Sequence, residues 1–105
     1  MNVTEITATL REVLPVLTDD ARALRHQQSL NKALWFTRDD LRTAADALEP
    51  TSPLATRYRM ASDDISHALN LLYPGYPEHF KNEKGFAQGM QKDITEALGH
   101  LKTTV

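Results

Sequence analysis

Histidines and carboxylates at helical spacing are the groups in this chain best placed to bind a metal ion or move a proton. Asp64 and His67 stand three residues apart, Asp63 and His67 four, and Glu96 and His100 four. Residues so separated share a helix face, and metal centres in helical bundles draw carboxylate and imidazole ligands from facing helices. A di-metal bundle site, however, needs Glu-x-x-His on two helices and a further Glu on each of the other two, and the sequence contains no Glu-x-x-His. Surface ion pairing accounts for the same residues. Neither a metal nor any other cofactor is expected.

Other chemistries fare no better. His26 is the one histidine in a context that could suggest phosphotransfer, yet the residues after it are Gln27, Gln28 and Ser29, not a lysine followed by glycine. Ser62 and Ser66 lie near Asp63, Asp64 and His67, but neighbours on one helix fan outward and do not assemble a relay of nucleophile, base and orienting group. No Gly-rich phosphate loop or nucleophile elbow is present. No catalytic residue is therefore assigned. Arg22, Arg25 and Lys32, with Arg57 and Arg59, are the best material for nucleic acid, but they alternate with Asp19, Asp20, Asp39 and Asp40 as on a mixed, solvated surface. Nucleic acid is not an expected partner.

Recognition by contact is better supported. Trp35 and Phe36 are adjacent, so on a helix they point about 100° apart and at most one can face the apolar stripe Leu30, Leu34, Leu41. Either this helix is buried on more than one side, or it offers a second apolar face to a partner or to a copy of itself. A second aromatic group occupies residues 73–80, YPGYPEHF. Tyr73, Tyr76 and Phe80 either close the end of the fold or, with His79, form a recognition surface on a proline-stiffened loop. A further stripe of mixed polarity, Met60, Asp64, His67 and Leu71, reads as a solvated or docking face.

The elements that must carry these groups follow from the spacing of apolar residues, which is helical in four stretches. Val3, Ile6, Leu10, Val13, Leu14 and Leu17 share a face, with Asn2 or Thr4 as cap and Pro15 as interruption. Ala23, Leu30, Leu34, Leu41, Ala45 and Leu48 form the stripe of a long second helix that starts at Thr18-Asp19-Asp20 and meets no glycine or proline before Pro50. Thr37-Arg38-Asp39-Asp40 resembles an internal cap, but without a breaker residue the helix is expected to be continuous. Ser52-Pro53 opens a third helix with Leu54, Tyr58, Ala61, Ile65, Ala68, Leu69 and Leu72 on one stripe, ended by Tyr73-Pro74-Gly75. Phe86, Met90, Ile94, Ala97, Leu98 and Leu101 mark the fourth. The expectation is an all-α, antiparallel four-helix bundle with helices over about 3–14, 19–48, 53–72 and 84–101, and a Pro- and aromatic-rich loop between the third and fourth.

At 105 residues the chain has material for one core and hence one domain. It carries no cysteine, which removes disulfides, thiolate metal sites and cysteine nucleophiles. A net charge of −2 gives no general attraction to phosphate backbones or anionic lipid. Glu5 stands where a secretory signal would be basic, and no apolar run is long enough to span a membrane, so a cytoplasmic protein is expected. The functional expectation is a non-enzymatic protein–protein interaction module, a small adaptor, regulator or inhibitor. It would act through Trp35 and Phe36 and through Tyr73, Tyr76, His79 and Phe80, with a homodimer through the second helix as one form. The alternative is a bundle, small-molecule-binding or enzymatic, with an internal pocket at Gln27, Asn31 and Trp35, where polar residues interrupt the apolar face.

Overall fold

Asn2 opens the first helix through a capping box: its Oδ1 accepts from the Glu5 amide at 2.8 Å, and Glu5 Oε1 accepts from the Asn2 amide at 3.2 Å. A computed structural model describes residues 1–72 and 85–102, and the fold is an all-α helical bundle. Helix α1 spans Val3–Val13, and Pro15 tightens the next four residues, Leu14–Leu17, into a 3₁₀ turn. Helix α2 is short, Asp20–Arg25, with Asp19 Oδ1 accepting from the Arg22 amide at 2.7 Å as its cap. Helix α3 is Gln27–Asp46, α4 is Pro53–Leu71 and α5 is Phe86–Leu101. Ser52 caps α4, and Pro53 occupies the first position, where a missing N–H is harmless. No strand occurs among the described residues.

The continuous second helix expected over 19–48 is instead two helices, broken at His26 (φ −107°, ψ 18°). No proline or glycine marks the break, because long-range bonds impose it. Asp20 Oδ1 accepts from the Ala87 amide at the start of α5 (2.9 Å), while the Gln27 side-chain amide donates to the Leu72 carbonyl at the end of α4 (2.8 Å). The Gln91 side chain adds a bond to the Leu17 carbonyl. Thus α2 is bonded to α5 and the start of α3 to α4, on either side of the interruption at His26. The capping signal at Thr37 does not interrupt α3: Thr37 is fully buried, and its hydroxyl donates to the Ala33 and Leu34 carbonyls at 3.0 and 3.1 Å.

Helix α4 packs most extensively, against α3 on one side and α5 on the other, while α1 leans on α3 and α5. The expected stripes form one continuous core that includes Ile6, Leu10, Leu34, Leu41, Ile65, Phe86, Met90, Ile94 and Leu101. Leu71, grouped in the sequence with an outward stripe, is buried, because α4 has neighbours on two sides. The approach of α5 is close enough that a Cβ at Gly89 would lie 3.0 Å from Leu71 Cδ1. Gly85 precedes α5 at φ +92°, a conformation that glycine adopts without a side-chain clash. No helix among the described residues is long and apolar enough to cross a membrane.

Candidate functional site

Three consecutive residues of α3 define its two faces. Leu34 is fully buried, whereas Trp35 is 40% and Phe36 55% exposed. The helical period forces this divergence: with Leu30, Leu34, Leu41 and Ala45 turned to the core, residues 35 and 36 are carried round to the outside. Arg38 lies over the Trp35 ring, 3.7 Å from its centroid, with its Nε donating to Asp39 Oδ1 at 3.1 Å. The cation over the indole is thereby itself oriented by Asp39.

Beside Phe36 runs a groove of about 540 Å³, lined by Met1, Thr9, Ser29, Lys32, Ala33, Phe36 and Asp40. It lies where the start of the chain and α1 meet α3. The Met1 amine sits 2.7 Å from Asp40 Oδ2, and this bond raises the amine above its ordinary pKa. On α3, Asp40 lies to one side of Phe36 and the exposed Lys32 to the other, four residues away in each direction. This face can take up a partner's apolar side chain next to an aromatic ring, with one acid and one base for orientation.

The second cluster lies on the seam between α4 and α5. His67 Nδ1 is 2.5 Å from Asp93 Oδ2; the imidazole is 61% exposed and the carboxylate side chain only 11%. Asp64 Oδ2 lies 3.3 Å from His100 Nε2, near enough for charge attraction, yet this buried oxygen has no aligned hydrogen bond. Desolvation raises both carboxyls above the usual range: against it work the bond to His67 at Asp93 and the charge of His100 at Asp64. Sequence reasoning misses Asp93, although it lies on the fourth helix's stripe, between Met90 and Ala97. A carboxylate at a core position was the available signal.

The seam makes two pairs and not one centre. Among the described residues, no three His, Asp or Glu side chains converge as a metal would require. Ser62 Oγ is buried without a partner and Ser66 accepts from Arg42 at 3.0 Å. His26 stands at the α2–α3 break, exposed, and not in mid-helix. Of the expected pocket residues, Gln27 is engaged by Leu72, Asn31 is half-buried and Trp35 opens to solvent, so their stripe leads outward. Tyr73, Tyr76, His79 and Phe80 lie outside the described residues. Comparison with known protein families, curated proteins and solved structures found no match.

Proposed function

We propose that the protein is a non-enzymatic protein–protein interaction module, a small adaptor or regulator that docks through the outward face of α3. The observation that carries this reading is the exposure of two adjacent aromatic side chains, Trp35 and Phe36, beside a groove on one helix. Large aromatic rings dominate interface energetics because they bury much area at little conformational cost. Neither ring is needed outside to complete the core, which Leu30, Leu34, Leu41 and Ala45 fill from the other side of the helix. Such a module would work in the cytoplasm.

The test is site-specific photo-crosslinking in cells. A photoreactive phenylalanine analogue at position 36 is compared with the same group at Gln88, an exposed position on α5. Discrete adducts at position 36 that weaken when Trp35→Ala is added support the proposal. The same adduct pattern from both positions refutes it.

A further inference from the structure

We infer that the partner on this face is a second copy of the chain, with α3 packed antiparallel to its symmetry mate about a two-fold axis through Phe36. The inference rests on the interaction reading above and adds the identity of the occupant. Its basis is the arrangement of charge around the ring. Lys32 and Asp40 lie four residues to either side of Phe36, and both line the groove with it. In a two-fold antiparallel pairing, each residue faces the one equally far from the axis on the other side. Lys32 of each copy then faces Asp40 of the other, twice over.

The neighbouring positions fit the same axis. Ser29 and Thr43, each seven residues from Phe36, are small, polar and exposed, and form the ends of the contact. Ala33, one turn before Phe36, removes bulk where two helices must approach to about 8–10 Å. Phe36 lies on the axis, so the two Phe36 rings meet there, beside the groove that Met1 and Thr9 line on each copy. Asp40 already holds the Met1 amine, and Lys32 of the facing copy supplies a second cation to the same carboxylate. A parallel pairing in register would instead set Lys32 against Lys32 and Asp40 against Asp40, which like-charge repulsion disfavours. A single helix face is a small interface, so a weak dimer, populated in the micromolar to millimolar range, is the expected form.

Sedimentation equilibrium over that range tests the proposal, with charge reversal as the specific probe. The wild type should show concentration-dependent dimer. Lys32→Asp alone and Asp40→Lys alone should each weaken it by about ten-fold or more, because each places two like-charged pairs across the axis. Combining the two substitutions in one chain restores both opposite-charge pairs and should bind about ten-fold more tightly than Asp40→Lys alone, which shares its loss of the Met1 ion pair. Because the chain has no cysteine, Lys32→Cys can be mixed with Asp40→Cys under oxidation, and the mixed disulfide should dominate over either symmetric one.

A folded wild-type monomer across the whole range, a double reversal no better than Asp40→Lys alone, or dominant 32–32 and 40–40 disulfides would each overturn the proposal. Photo-crosslinking at position 36 that captures only a different protein also overturns it, while leaving the interaction reading intact. Circular dichroism checks each variant for folding, which substitution at the exposed Lys32 should not disturb and substitution at Asp40 should disturb only through its ion pair with Met1.

Discussion

Alanine substitution at Leu34, Trp35 and Phe36 in turn separates core from surface within three residues of α3. Leu34 is fully buried, so Leu34→Ala removes a core side chain and leaves a cavity, a change that costs about 2–5 kcal/mol. A domain of this size has about 5–15 kcal/mol in all, and each kilocalorie is about 4–8 °C in melting temperature, so a fall of at least about 8 °C is expected. Phe36 has about half its surface already in water, so truncation forfeits about 1 kcal/mol of burial, part of which the higher helix propensity of alanine returns. Its melting temperature should drop by no more than a few degrees. Trp35→Ala should fall between, since it loses a larger buried fraction and the stacking of Arg38, worth about 0.5–1 kcal/mol at an exposed site. The assay is urea and thermal unfolding at one low protein concentration, where self-association adds nothing to apparent stability. If Phe36→Ala unfolds as readily as Leu34→Ala, the ring belongs to the core and the docking face does not exist.

Two further outcomes concern the ties that hold α5. Asp93 and Asp64 carry folded-state pKa values above their ordinary value of 3.8, so their contribution to stability is complete below that value and is lost as pH rises through the folded one. Urea midpoints should therefore show these groups favouring the fold as pH falls from neutral towards 4, and Asp93→Asn should flatten that trend; a steeper trend in the variant would contradict the desolvation account. Asp20→Ala removes the acceptor for the Ala87 amide and should cost about 1 kcal/mol, with faster hydrogen exchange at Ala87. Gly85→Ala should cost more, from its positive φ and from a Cβ only 2.7 Å from Asp20 Oδ2. In an Asp20→Ala background the steric part of that cost should disappear and the backbone part remain, which a double-mutant cycle measures.

The stripes of α1, α3, α4 and α5 were legible because a single rule, the 3.6-residue period, governs which residues reach the core. Leu30, Leu34, Leu41 and Ala45 illustrate it. What escaped was set by contacts between residues distant in sequence. His26 ends α2 because Asp20 and Gln27 are bonded to opposite ends of the gap between α4 and α5, at Ala87 and Leu72, and nothing local to residues 19–30 records those partners. The direction of Trp35 and Phe36 was open for a related reason: their divergence from Leu34 followed from the period, but whether another helix covered them depended on packing, which leaves both exposed.

Polar groups inside and apolar groups outside are opposite departures from the amphipathic pattern, and each needs its own cause. On α4 and α5, alanines at 61, 68, 87 and 97 and glycine at 89 are small residues that permit close approach, as Gly89 does against Leu71. The pairs His67 with Asp93 and Asp64 with His100 add to the registration of the two helices: a slip of one helical turn, about 5.4 Å, would separate both pairs and leave desolvated carboxylates unpaired. The polar groups of the seam thus have a sufficient structural task within the fold. The exposed parts of Trp35 and Phe36 have none, since the core is filled from the other side of α3 and a fold gains no stability from holding apolar surface in water. That asymmetry supports the proposal that function lies on the outer face of α3 and not at the histidines, although the histidines carry the more reactive chemistry.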